Sequence, residues 1–116
     1  MPVSLKSPLR RAFFVSYRIG HVPIMKILTG DIGGTKTRIA LLESAGGGLK
    51  TLQEATYASR DHDSLTDILA SFIAQQELRP QAAGFAIAGP VEGRTCNVTN
   101  LPWQIDADEL ERRFSL

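Results

Sequence analysis

Cysteine is almost absent: Cys96 stands alone in 116 residues. No intramolecular disulfide can form, which fits a reducing compartment and makes the cytoplasm the expected location. A lone cysteine of this kind reads as a buried structural thiol. Histidine is nearly as scarce, with only His21 and His62. Beside a single cysteine they form no metal-ligand cluster. No apolar run approaches the length needed to cross a bilayer, so no membrane partner is expected. Acidic residues are missing from residues 1–24, where Lys6, Arg10, Arg11 and Arg18 give a charge of +4. The remaining residues carry nine basic and twelve acidic side chains, a charge of −3. That larger part has no basic stripe to track a phosphodiester backbone, so nucleic acid is not expected as a partner.

Residues 1–24 mix basic residues, three prolines and the cluster Phe13-Phe14-Val15. A basic, acid-free N-terminus is compatible with a targeting segment, but its apolar run is short and broken for a secretory signal. Met25 stands immediately before the first strand-like run. Residues 1–24 are therefore expected to be an N-terminal extension outside the fold, and residues 25–116 the domain, with 43% hydrophobic and 22% charged residues overall.

The most informative stretch is Lys26–Leu42. A short apolar run ends at Gly30-Asp31, Ile32-Gly33-Gly34-Thr35-Lys36 follows, and a second apolar run departs at once. That pattern predicts strand, tight turn, strand. Gly33 and Gly34 leave room for a ligand to approach the main chain. Converging backbone N–H groups with Thr35, Lys36 and Thr37 nearby suit phosphate oxygens. Asp31 would repel phosphate directly and makes sense where a metal ion or its water lies between them. A P-loop is excluded: its second glycine is replaced by Thr35, and five residues before Gly46-Gly47-Gly48 are too few for the helix it requires. A hairpin turn that binds nothing stays open as the alternative.

Downstream, Leu49–Ser59 reads as a third strand, and Arg60-Asp61-His62-Asp63 as a polar loop. Leu65, Ile68, Leu69, Phe72 and Ile73 share one helix face, with Ser64 and Asp67 capping the start of a helix reaching about Gln76. Ala82–Ala88 is a near-continuous apolar run, predicted to be a strand covered on both faces. It ends at Gly89-Pro90, at the strand end where ligands sit in open α/β sheets. Arg94–Thr99 is compatible with a returning strand. Asp106 and Glu109 cap a last helix carrying Ala107, Leu110 and Phe114. Between them, Asn100 and Trp103 pair an amide with an indole on a loop. Such a pair suits a sugar, but equally a core tryptophan beside a turn asparagine.

Gly30-Asp31-Ile32-Gly33-Gly34-Thr35 resembles the first phosphate motif of the sugar-kinase, actin and heat-shock ATPase superfamily. The run from Phe85 through Gly89-Pro90 to Arg94, followed by Val98-Thr99-Asn100-Leu101-Pro102-Trp103, is similar to the bacterial glucokinase family. The resemblance covers nearly all of the chain after residue 24. It implies an α/β fold: a ribonuclease-H-like (actin-like ATPase) domain, with a mixed five-stranded sheet, its first three strands antiparallel, and helices on both faces. It implies ATP-dependent phosphorylation of glucose at the 6-hydroxyl, with ATP and Mg²⁺ as cofactors and glucose or another hexose as partner; a homodimer is compatible with it. By that resemblance Gly30, Asp31, Ile32, Gly33, Gly34 and Thr35 would contact ATP, and Asp31 would hold the metal through water. Gly89, Pro90, Asn100 and Trp103 would border the sugar. The family's catalytic Asp is expected beyond Leu116, which makes this chain an N-terminal portion expected to be inactive alone. Lys36 departs from the Asn common in this group. Gly-Gly-Thr-Lys is shared with a related kinase/repressor family, whose repressors add a helix-turn-helix that does not occur here and whose zinc cluster would lie beyond residue 116. The loop Thr99-Asn100-Leu101-Pro102-Trp103 favours the glucokinase group. A relative acting on another hexose, or a non-catalytic sugar- or nucleotide-binding module, is the alternative.

Overall fold

A computed structural model describes residues 10–16, 24–45, 48–75 and 79–116. Strand β1 (Arg10–Ser16) is followed by β2 (Ile24–Ile32), β3 (Lys36–Ala45) and β4 (Gly48–Ala58). A 3-10 turn (Ser59–Asp61) leads to helix α1 (Leu65–Ala74) and β5 (Ala82–Ala88). Three short strands, β6 (Val91–Glu92), β7 (Thr95–Asn97) and β8 (Gln104–Asp106), precede α2 (Ala107–Phe114).

The main sheet has the order β1-β5-β2-β3-β4, and β6-β7-β8 form a small second sheet. Strands β2, β3 and β4 are antiparallel neighbours, as the hairpin pattern predicts. Strand β5 runs parallel to β2 on its other side. The sheet is therefore mixed, and the C-terminal ends of β2 and β5 lie at the same sheet edge.

Strand β1 departs from the expectation for residues 1–24. Arg10–Ser16 pair antiparallel with β5, from Arg10 opposite Ala88 to Ser16 opposite Ala83, with an irregularity between Phe14 and Ser16. Those residues belong to the sheet rather than lying outside it. The rest of that stretch, apart from Ile24 in β2, lies outside the described residues, His21 included. The Gly46-Gly47 tip of the β3–β4 hairpin and the expected helix end at Gln76 lie there too.

The core lies on one face of the main sheet. In register, Leu28 opposes Leu41, Gly30 opposes Ile39, and Ile32 opposes Thr37. Phe85 and Ile87 of β5 lie beside Gly30 and Ile32. With Leu65, Ile68, Leu69 and Phe72 of α1 and Ala107, Leu110 and Phe114 of α2, they form one buried cluster. Fully burying a Leu, Ile or Phe side chain contributes about 1.5–3 kcal/mol each, so this cluster is the main source of stability. Among the described residues both helices thus serve the same face, not both faces as the resemblance implies. On the other face Thr29 and Ala40 are half-buried and Asp31 and Arg38 exposed. Strand β5 alternates after its first residue: Ala82 is buried, then Ala83, Phe85 and Ile87 are buried while Gly84, Ala86 and Ala88 are half-buried. The expectation of a strand covered on both faces holds only at Ala82; from Gly84 on the second face is half-buried. The uniform apolar run arises because the open face carries only glycine and alanine, which add little apolar area.

The helix starts follow from their caps. The Ser64 hydroxyl accepts the Asp67 N–H at 3.1 Å, and Asp106 accepts the N–H groups of Asp108 and Glu109 at 2.9 and 3.4 Å. Each cap satisfies donors that the first helical turn leaves open. Arg94, on the β6–β7 turn, reaches both Asp108 and Glu111 of α2 at 2.7 Å, which fixes the small sheet against that helix. These ions are largely exposed, so each pair adds less than about 1 kcal/mol.

Cys96 is buried, as expected of a structural thiol. Burial pushes its thiol above the usual value, because the interior disfavours the thiolate. The folded state therefore prefers the neutral form. Its contribution is full below the unfolded thiol's pKa of about 8.5 and is lost as pH rises through that value toward the folded one. Chemical denaturation between pH 7 and 10 should show stability falling in this window. Cys96→Ala, though less stable throughout, should show a shallower fall. An unchanged slope would remove Cys96 as the titrating group.

Candidate functional site

The turn between β2 and β3 is built from backbone and two hydroxyls. Gly33 N–H donates to the Lys36 carbonyl at 2.9 Å, closing the turn, and Ser59 N–H donates to the Thr35 carbonyl at 2.9 Å. The Ser59 hydroxyl donates to the Gly33 carbonyl at 2.7 Å and lies 2.8 Å from the Thr37 hydroxyl. Ser59 and Thr37 are completely buried. Gly33 and Gly34 are half-buried, whereas Thr35, Lys36 and Asp31 are exposed.

Two neighbouring segments close on this turn. A Cβ on Gly34 would lie 3.0 Å from the Thr99 carbonyl oxygen and 3.4 Å from Asn100 Cβ. The glycine therefore lets the turn lie close against the loop after β7, where a Cβ would need a shift of a few tenths of an ångström. Gly89 meets the same segment more tightly: a Cβ there would lie only 2.0 Å from the Asn97 carbonyl oxygen. Thr99 N–H donates to the Ala88 carbonyl at 2.8 Å, which fixes this loop to the end of β5. Gly30 sits deeper, where a Cβ would lie 2.6 Å from Phe85 Cδ1. It is a packing glycine in the floor of the site, beside the buried Ile32.

The residues singled out in sequence thus fall into one region, with different roles. Gly33, Gly34 and Thr35 form the turn. Asp31 lies on the open face of β2, opposite Arg38. Gly89 and the exposed Pro90 end β5 beside Asn97 and Thr99. Asn100 is exposed and holds a left-handed backbone with φ 67°, a conformation that asparagine tolerates better than most residues. Trp103 differs from the expected sugar contact. It is buried at 3% exposure, and its indole N–H donates to the His62 carbonyl at 3.2 Å. Its ring supports the loop from the core side. His62 is half-buried, edge-on to Tyr57 with ring centroids 5.5 Å apart, and its carbonyl is what the site uses.

Ser59 is the residue that sequence reasoning passed over, and Thr37, expected beside the phosphate oxygens, is instead buried with its hydroxyl against Ser59. Hydroxyls at a strand start and a strand end carry no distinguishing local pattern. Only the closing of the β3–β4 hairpin brings them together.

Among the described residues no group of three or more His, Cys, Asp or Glu could hold a metal ion. One exposed carboxylate at the turn does suit Mg²⁺ of the kind that keeps most of its waters and shares its other ligands with phosphate oxygens. It does not suit an all-protein cage.

The glucokinase family model matches residues 28–116. A glucokinase of Nostoc punctiforme is 38% identical over 92 residues, which cover 78% of this chain and 27% of the relative. A glucokinase of Synechocystis is 38% identical over 103 residues, covering 79% of this chain and 29% of the relative. The crystal structure of glucokinase from an Antarctic psychrotroph aligns with a TM-score of 0.70 at 28% identity, over 82% of this chain and 30% of that one. The chain spans under a third of the length of these relatives.

Proposed function

The chain belongs to the glucokinase family, and we propose that it supplies the phosphate-binding side of an ATP-dependent hexose kinase acting on the 6-hydroxyl of glucose. The observation that carries this reading is the meeting of Gly34 with Thr99 and Asn100. It brings a glycine turn suited to phosphate within reach of an exposed amide suited to a sugar hydroxyl. Phosphoryl transfer needs those two functions side by side, since its catalysis is largely positioning and electrostatic stabilisation.

In this reading residues 25–116 are the working part of a ribonuclease-H-like nucleotide-binding domain in a cytoplasmic enzyme. Gly30 and Ile32 form the floor, and Gly33, Gly34 and Thr35 present backbone to the phosphates of ATP. Asp31 holds Mg²⁺ through water. When bound, Mg²⁺ would neutralise charge on the phosphate oxygens. Asn100, with Gly89 and Pro90 at the end of β5, borders the sugar, and Trp103 backs that loop from inside. No residue of this chain is assigned the role of base toward the glucose hydroxyl. A homodimer is compatible with the arrangement.

A chimera tests the proposal: this chain in place of the matching first part of the Nostoc punctiforme enzyme, assayed for ADP release with glucose. Activity is expected. Asp31→Ala in that chimera should lower kcat about 10²- to 10³-fold, the size typical of losing one electrostatic partner of the transition state. The KM for glucose should stay within about twofold, because the carboxylate lies on the phosphate side. A folded but inactive chimera would count against the assignment. Equal loss in kcat and in glucose affinity would count against the metal–phosphate role of Asp31.

A further inference from the structure

Ser59 and Thr37 are the buried polar residues of the described core, both at 0% exposure. Buried hydroxyls cost free energy unless they are fully hydrogen-bonded, so their arrangement calls for a physical reason. The Gly33 carbonyl can only accept, so the Ser59 hydroxyl must spend its one hydrogen on it at 2.7 Å. Ser59 Oγ is then left as an acceptor, and the Thr37 hydroxyl, 2.8 Å away, must donate to it. The order is fixed: Thr37 to Ser59 to Gly33. The Ser59 N–H meanwhile holds the Thr35 carbonyl at 2.9 Å. One residue thus grips the turn at two carbonyls.

In a planar trans peptide the C=O of one residue and the N–H of the next point in opposite directions. Drawing the Gly33 carbonyl toward Ser59 turns the Gly34 N–H away from Ser59. Drawing the Thr35 carbonyl the same way does so for the Lys36 N–H. The grip also withdraws two carbonyl dipoles that would repel an anion. We infer that Ser59, steadied by Thr37, is a positioning residue that sets the Gly33–Thr35 turn to receive phosphate oxygens. The inference rests on the phosphate reading of the turn given above.

The test uses the 116-residue chain itself, with amide hydrogen exchange and an NMR titration with inorganic tripolyphosphate and Mg²⁺. In Ser59→Ala the Gly33 amide should exchange about tenfold faster, as expected for losing one buried hydrogen bond, while Leu41 in the middle of β3 stays within about twofold. The tripolyphosphate response at the Gly34 and Lys36 amides should weaken about five- to tenfold. Thr37→Val keeps the Ser59-to-Gly33 bond and should change both readouts only about twofold. Equal acceleration at Gly33 and Leu41 would reduce Ser59 to general stability and overturn the inference. An identical tripolyphosphate affinity in wild type and Ser59→Ala would overturn it while leaving the phosphate reading intact. No tripolyphosphate response in wild type would instead overturn the phosphate reading of the turn, and the inference with it. A Thr37→Val effect equal to that of Ser59→Ala would refute the donor order.

Discussion

Gly89→Ala is expected to lower stability by about 3 kcal/mol, at the upper end of what overpacking costs. The new Cβ would lie 2.0 Å from the Asn97 carbonyl oxygen, 3.1 Å from its carbon and 3.2 Å from Thr99 N. All three are backbone atoms, so no side chain can turn aside. Gly30 makes the useful contrast. Its nearest obstacle, at 2.6 Å, is the ring of Phe85, which can yield part of the clash by repacking. Gly34, at 3.0 Å from the Thr99 carbonyl, needs only a few tenths of an ångström. Gly89 has no positive φ among the described glycines, where Gly93 alone does, so space and not backbone freedom decides its identity. Relief at Gly89 requires the loop from Asn97 to Asn100 to move off the end of β5, breaking the 2.8 Å bond from Thr99 N–H to the Ala88 carbonyl. Urea unfolding should show the midpoint falling by about 2 M for a domain of this size. In the active chimera, sugar affinity should fall with it, because Asn100 rides on that loop. A loss below about 1 kcal/mol would mean that the β5 end and the loop are not held as tightly as the geometry requires.

How far the sequence revealed this arrangement depended on whether each feature was local. Helix α1 was legible because five apolar residues at helical spacing and a serine cap lie within ten positions. The β2–β3 hairpin was legible because its turn is marked by two adjacent glycines. Strand β1 was not. Its partner β5 lies some seventy residues away, and nothing within residues 10–16 announces that pairing, while their basic neighbourhood suggests a tail. Strands β6 and β8 are two and three residues long, too short for period-two alternation to register, whereas β7 falls within the returning strand expected over Arg94–Thr99. Strand β5 misled because glycine and alanine on an open face look the same in sequence as a buried face.

The site divides along the same line. The turn at Gly33, Gly34 and Thr35 was legible because a tight turn that other segments approach closely needs glycine, and glycine is visible. Ser59 was missed because its contact with the turn is long-range. It reaches Gly33 across twenty-six positions. The Asn100–Trp103 pair was half legible: the spacing located the loop, but it could not say which way the indole turns.

That direction underlies the other large effect. Trp103→Ala should cost about 3–5 kcal/mol, the range for deleting a buried aromatic side chain, since Trp103 is 3% exposed within the main core cluster. Trp103→Phe separates the two contributions. It keeps most of the apolar volume but removes the N–H that meets the His62 carbonyl at 3.2 Å, and should cost about 1–2 kcal/mol for that hydrogen bond and the remaining cavity. Both variants act on the site through the backbone. Val98 N–H donates to the Trp103 carbonyl at 3.2 Å, and Leu101 N–H to the Val98 carbonyl at 3.3 Å, so the loop presenting Asn100 is closed at the residue whose ring is anchored below it. Trp103 is the sole tryptophan, and its fluorescence reports on this loop without labelling. Emission from a buried indole should be blue-shifted and should return to the solvent value in one step with urea unfolding. Glucose added to the active chimera should leave the emission maximum in place, because the ring faces the core and the sugar would face Asn100. A large glucose-induced shift, with Trp103→Ala retaining near-normal stability, would mean that the indole turns outward to the sugar, and would overturn the supporting role assigned to it.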